Sequence, residues 1–403
     1  MSTFAWIDSS EKQRRQMLEA IDLFREKDTR DELGIAGIRD CFADMLFPGT
    51  GALQTRARYF LFVAWMYLEF EARGVSSAEV ARKGRAFEIK LIDQLADSSK
   101  PDGTIGIQAR AALQRIPSNI YWNGLKLLRI CQFSGSQAEY HRSLDRQAAA
   151  RAVVRRNDDD EVVRGLARAW HGGLPAGPTG FPSEASFTLT GLEARYLQGR
   201  VLENHRHSFF AFMLDRAFAD VEAEFVWEHP ASQEAPVALR RQIEHARRFS
   251  EVMHGAAILY NLYLGELDPR RDSVIENCNA MLQNWLRLID EQQESLLNWN
   301  RIDFWKLLSQ QMYTPSPATR LFVDEWCRRV LDGNPTTLHG SESIKRLIFD
   351  REVQIKGVLA RCSNRRSREM WKGDAGLRRL NFRWSNARVV LRDIAAGLES
   401  ANA

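Results

Sequence analysis

Ten consecutive apolar residues, Tyr59–Leu68 (YFLFVAWMYL), constrain this chain more than any other stretch. Just before them lies Phe47-Pro48-Gly49-Thr50-Gly51, where one proline and two glycines interrupt any helix. A polar turn, Gln54-Thr55-Arg56-Ala57-Arg58, follows that loop. No breaker then appears before Gly74, so the pattern predicts a helix over Arg56–Arg73. A run apolar on every side belongs inside a core. It is about half the length a membrane span needs.

The loop that feeds this helix carries its own chemistry. Glycines ahead of a helix N-terminus leave backbone N–H groups free, and arginines close by add positive charge. Thr50, Thr55, Arg56 and Arg58 are therefore candidate ligands for a phosphate or other anion. A purely structural role is the competing reading. In it Thr50 or Gln54 caps the helix, Phe47 packs as a staple, and the arginines pair with Asp40 and Asp44.

The remaining chain reads as helical almost throughout, with no alternating run of strand length in its second half. Helices are expected at Ala78–Ala96, Gly191–Asn204, Ser208–Glu224, Val237–Gly265, Arg271–Asn298, Arg301–Gln311, Pro317–Leu331, Ser341–Asn364 and Gly376–Leu398. An earlier helix should open at Ser9-Ser10-Glu11. Ile107–Arg115 and Ile120–Cys131, joined across Pro117-Ser118, suggest either a helix-turn-helix-like unit or two packed helices of a bundle. Residues 146–188 include the acidic run Asn157–Glu161 and HGGLPAGPTGFP, a composition suited to a linker or loop. The expected organisation is a mostly α, multi-domain protein: a helical domain over 1–145, the loop region 146–188, and a second helical domain over 189–403.

Charge is unevenly spread: residues 201–300 carry a net −7 and 301–403 a net +8. In Arg351–Arg392, twelve Lys and Arg face three acidic residues. Arginine, with its planar fork, dominates this segment and suits phosphate recognition. Candidate nucleic-acid contacts are Arg361, Arg365, Arg366, Arg368, Lys372, Arg378, Arg379 and Arg383. Trp371 and Trp384 stand among them as candidate stacking platforms. The alternative is that these cations serve as internal counter-charge to the acidic stretch before them.

Several activities find no support. The sequence lacks GxxxxGK[ST], HExxH, GxSxG and any spaced Cys/His ligand set, so no catalytic residue, metal or cofactor is expected. Glu88-Ile89-Lys90 matches half of a nuclease motif, but it lies in a helical stripe and not on the strand that chemistry requires. Five scattered cysteines read as reduced thiols, and the N-terminal residues have no apolar signal core, so the expected location is cytoplasmic.

Several words of the sequence, taken in order, resemble an uncharacterised bacterial family, a domain of unknown function spanning essentially the whole chain. They are Phe4-Ala5-Trp6-Ile7-Asp8, DELGIAGIRDCFADMLFPGT, QTRARYFLFVAW, Pro117-Ser118-Asn119-Ile120-Tyr121-Trp122, Arg351-Glu352…Lys356-Gly357…Ala360-Arg361 and Arg383-Trp384. Gly51 departs from the family pattern, where a serine is expected. Such proteins tend to be encoded near anti-phage defence genes, among helicases and nucleases. By association, the resemblance implies a nucleic-acid-related role. The expectation is a non-catalytic component of a defence assembly that binds nucleic acid, DNA rather than RNA, with a helicase, ATPase or nuclease as protein partner. The alternatives are a metal-dependent nuclease or phosphoryl-transfer enzyme using the Phe47–Arg58 loop, and a scaffold for a helicase or ATPase subunit.

Overall fold

The apolar run forms the helix Tyr59–Ala72, starting three residues later than the pattern suggests. Tyr59 through Tyr67 and Phe70 are all buried, which marks a helix surrounded on every side. The computed structural model describes residues 31–98, 101–154, 168–216, 218, 220–268 and 270–400. The helix expected at Ser9-Ser10-Glu11 and the acidic run Asn157–Glu161 lie outside these residues. Among the described residues sixteen α-helices carry the fold and no strand is present. An isolated β-bridge joins Cys131 and Trp170. The protein is thus mostly α. Among the described residues no helix is long and apolar enough to cross a membrane.

By compactness the chain forms two units, each assembled from segments far apart in sequence. The first comprises residues 1–42 and 244–380, the second 43–243 and 381–403. Residues 146–188 fall inside the range of the second unit.

In the second unit the helices Val80–Ala96 and Pro117–Leu127 lie against the central helix. Rings fill the space between elements: Tyr67 meets Trp122, Tyr140 and Trp170 at centroid distances of 6.0, 5.1 and 5.7 Å. The Gly- and Pro-rich stretch around 170–188 is irregular, as its composition demands, and is anchored to the core. Trp65 Nε1 donates to the Pro175 carbonyl at 2.7 Å, and the Phe181 ring stacks on Phe62 at 5.5 Å. Thr190 and Glu193 form a capping box that starts the helix Gly191–His205. Against this helix packs the last one, Trp384–Glu399. Gly397 permits the approach, because a Cβ there would stand 2.7 Å from the Cβ of Ala194.

Of the two helices a helix-turn-helix requires, only Pro117–Leu127 forms. Residues 107–115 hold a single 3-10 turn, Arg110–Ala112. Gly106 and Arg110 take positive φ values of 75° and 46°, which interrupts an α-helical ladder. Arg85 Nη2 then donates to the carbonyls of Ala111 and Leu113 at 2.8 and 2.9 Å, fixing the irregular path.

The first unit is organised on the part of the helix Val237–Glu266 that follows Ile243. Trp285 and Trp326 seal its flank by donating to the carbonyls of Glu251 and Val252 at 2.8 and 2.9 Å. Other helices end sooner than their sequence pattern suggests. The expected Ser341–Asn364 stops at Lys356, where Gly357 turns to a φ of 53°. The expected Gly376–Leu398 begins only at Trp384, because Gly376, Phe382 and Arg383 all take positive φ. Arg271–Asn298 divides into Asp272–Glu291 and Gln293–Leu297, and Ser208–Glu224 closes at Asp215.

Gly124 marks the tightest approach in the second unit. A Cβ there would lie 2.3 Å from the Gly49 carbonyl oxygen and 2.8 Å from the Phe60 ring. Gly124→Ala should cost about 1–3 kcal/mol by overpacking, read as a lower denaturant midpoint. An unchanged midpoint would mean that the helix can retreat from the loop.

Candidate nucleic-acid interface

The loop before the central helix is tied down by its own unit. Thr50 is buried and its hydroxyl donates to the Phe47 carbonyl at 2.6 Å. Gln54 Nε2 donates to the Gly49 carbonyl at 3.1 Å, and the Thr55 hydroxyl to that of Gly103 at 2.5 Å. The phenol of Tyr121 accepts the N–H groups of Thr55 and Arg56 at 2.9 and 3.1 Å and donates to the Arg56 carbonyl at 2.8 Å. Asp393, on the last helix, accepts the Ala57 N–H at 2.8 Å and grips the Arg56 guanidinium with both oxygens, at 2.8–3.1 Å. The physical recipe for an anion site is therefore met, and a carboxylate of this chain fills it.

Arg58 is equally committed. Its Nη1 donates to the Ser186 carbonyl at 2.9 Å, and its Nη2 meets Glu193 at 2.7 Å. Both side chains are buried, with the guanidinium 5.7 Å from the ring centroids of Phe62 and of Trp65. Neither arginine pairs as the sequence suggested. Asp44 instead receives Arg383, at 2.6 Å, and Asp40 pairs with Arg39 at 3.1 Å. No side-chain cap comes from Thr50 or Gln54; Arg58 occupies the N-cap position without one.

The basic segment divides into cations the fold uses and cations it does not. Arg361 donates to Glu32 at 2.6 Å and to the Tyr260 hydroxyl at 3.2 Å. Beside it Lys356 also meets Glu32, and buried Glu352 accepts the N–H groups of Arg361 and Cys362 at 2.8 and 3.0 Å. Arg368 donates to the carbonyls of Arg361 and Cys362. Arg379 reaches Glu251 at 3.5 Å, and Arg383 holds the Thr50 carbonyl at 3.0 Å. Arg365 makes an exposed pair with Glu369 four residues on. Arg366, Lys372 and Arg378 are exposed and have no ion-pair partner among the described residues.

The tryptophans are unavailable for stacking. Trp371 is 3% exposed and its Nε1 donates to Asn261 Oδ1 at 3.2 Å. Trp384 is fully buried, donating to the Ala223 carbonyl at 3.0 Å, with its ring 5.7 Å from that of Phe47. Sequence reasoning missed the acids that consume the arginines. Glu193 was visible in the capping signature Thr190-x-x-Glu193. Asp393 gave no comparable sign, since an isolated acid in an apolar stripe has no local spacing to announce its partner.

The nuclease-like triplet lies in the helix Val80–Ala96, with Glu88 buried and Lys90 exposed. Glu88 accepts both the N–H and the hydroxyl of Ser118, at 2.5 and 2.9 Å, and so caps the helix Pro117–Leu127 from outside. Burial pushes its carboxyl up to about 7, against the pull of the two Ser118 hydrogen bonds. Among the described residues no three His, Cys, Asp or Glu side chains cluster as metal ligands.

A family model described as "Family of unknown function (DUF6361)" matches residues 1–397. The chain belongs to this family. Comparison with curated proteins and with solved structures finds no match.

Two outcomes follow from the buried acids. Arg58→Met strands Glu193 without its cation and should cost about 3–5 kcal/mol in chemical denaturation; a loss under 1 kcal/mol would mean water reaches the carboxylate. Glu88 has a raised folded pKa, so its contribution is complete below about pH 4.5 and is lost as pH rises through about 7. The lost amount is about 3 kcal/mol. Glu88→Gln should flatten the melting profile between those limits; parallel profiles for the two proteins would exclude Glu88 as the titrating group.

Proposed function

We propose that this protein binds nucleic acid, DNA rather than RNA, as a non-catalytic component of an anti-phage defence assembly whose motor or nuclease is another chain. One observation carries the reading. Arg366, Lys372 and Arg378 stand exposed and unpaired among the described residues, in a segment whose other cations are mostly built into the fold. Ion pairs and hydrogen bonds to backbone carbonyls explain arginines 361, 368, 379 and 383 as structure. No such account covers the three exposed ones, and unpaired positive charge at a surface attracts phosphates. Helix Arg365–Glu369 presents the first of them, with Asn364 Oδ1 accepting the Ser367 N–H at 3.0 Å as its cap.

The phosphoryl-transfer alternative loses ground because the loop's N–H groups at Thr55, Arg56 and Ala57 are already satisfied by Tyr121 and Asp393. A scaffold role keeps one observation in its favour. Val358, Leu359 and Met370, in the same stretch, are 86, 58 and 72% exposed. Apolar tips beside cations suit a protein partner such as a helicase or ATPase subunit.

Replacing Arg366, Lys372 and Arg378 together by Gln tests the reading. The folded state should be unaffected, since none of the three side chains has an ion-pair partner among the described residues. DNA affinity should fall many-fold at moderate salt, and the slope of log K against log salt should drop by about 0.9 for each phosphate contact removed. Parental affinity and slope in the variant would dismiss the site. Recovery of the same protein partner by parent and variant, with no DNA bound by either, would favour the scaffold.

A further inference from the structure

We infer that the nucleic acid taken by this surface is a duplex, gripped through its backbone phosphates, and not a single strand. The inference rests on the binding role proposed above and names the substrate class.

Proteins that hold unpaired strands combine a cationic groove with aromatic faces on which successive bases stack. This chain is rich in rings, with 21 Phe, 8 Tyr and 11 Trp. Yet among the described residues no Phe, Tyr or Trp belongs to the exposed class; each is buried or half-buried. The large apolar side chains that do reach solvent are Leu, Ile, Val and Met, which offer no π-face. Within the basic segment the three rings are withdrawn completely. Trp371, Phe382 and Trp384 are 3, 1 and 0% exposed, and both indole N–H groups are spent on internal acceptors. An unpaired base approaching Arg366 or Lys372 would find charge and no aromatic platform.

What the segment does offer is cations on a fixed frame. Arg368 pins the short helix Arg365–Glu369 to the carbonyls of Arg361 and Cys362. Trp371, next to Lys372, is locked by Asn261, and its carbonyl accepts Arg271 Nη2 at 2.8 Å. Asn261 Oδ1 also accepts the Ala375 N–H, at 2.9 Å, which fixes the turn leading to Arg378. A fixed frame of charges gains most from an equally rigid array of phosphates, because only the exposed side chains, and not the backbone they stand on, lose conformational freedom on binding. A duplex is such an array; a flexible strand must be ordered first. Contacts confined to phosphates carry no sequence information, so binding should be indifferent to base sequence.

The experiment is a titration of the full chain against one labelled oligonucleotide, single-stranded and annealed to its complement, over a series of salt concentrations. Two further duplexes of scrambled sequence and the Arg366, Lys372, Arg378→Gln variant complete the set. The expected result is duplex binding at least tenfold tighter, similar for all three duplexes, and weakened many-fold in the variant. Unchanged intrinsic tryptophan fluorescence on saturation should accompany it. Equal or tighter binding of the single strand, lost in the variant, would overturn the duplex inference and leave the nucleic-acid reading standing. A duplex preference that depends on sequence would overturn phosphate-only recognition. Absence of binding to every probe would overturn both the inference and the proposed function.

Discussion

Asp393 holds the second unit together at its most demanding point. The loop that launches the central helix ends in backbone N–H groups that no intrahelical acceptor can satisfy, and the preceding Arg56 brings a positive charge to the same place. One carboxylate answers both needs, accepting from Ala57 N–H and from the guanidinium of Arg56. Its partner residues lie 336 and 337 positions away in sequence. The helix that carries Asp393 is itself seated by Trp384, whose ring packs on Phe47 at the start of the same loop. Charge and packing therefore fix one junction from two directions.

Several arginines of this protein serve as internal fasteners. Arg58, Arg351 and Arg383 each reach backbone carbonyls, and a planar fork can satisfy several acceptors at once where lysine offers a point charge. Arg351 illustrates the economy: it donates to the Leu33 carbonyl at 3.0 Å and to the Thr319 hydroxyl at 2.7 Å. A count of basic residues along the segment therefore overstates the charge available to a partner. Exposure and pairing of the individual side chains separate Arg366, Lys372 and Arg378 from their neighbours.

Helical class and most helix positions were legible because they depend on local spacing and on breakers. Pro317–Leu331 appears with the bounds its sequence suggests, and Val237–Glu266 differs by one residue at its end. Helix ends were misread where a residue other than glycine takes a left-handed conformation, as Phe382 and Arg383 do, because no side-chain type announces that choice. The loop's aptitude for an anion was also legible, whereas the source of the anion was not. Pairings such as Arg56 with Asp393 and Arg58 with Glu193 depend on which distant helices meet. The aromatic residues misled for a related reason: composition places Trp371 among arginines, and only tertiary packing shows its indole turned inward onto Asn261.

The order in which the second unit's parts occur along the chain has a consequence for synthesis. A growing polypeptide presents the first unit's residues 1–42, then residues 43–243, then the first unit's 244–380, and only afterwards the helix that bears Asp393. Throughout that interval Phe47 lacks its Trp384 cover and Arg56 lacks its counter-ion. While residues 244–380 are made, the second unit therefore lacks its closing helix, with an apolar gap and an unpaired cation at one junction. Transiently exposed apolar surface of this kind is prone to aggregation. The last helix acts as the closing piece whose arrival converts that vulnerable form into the native one.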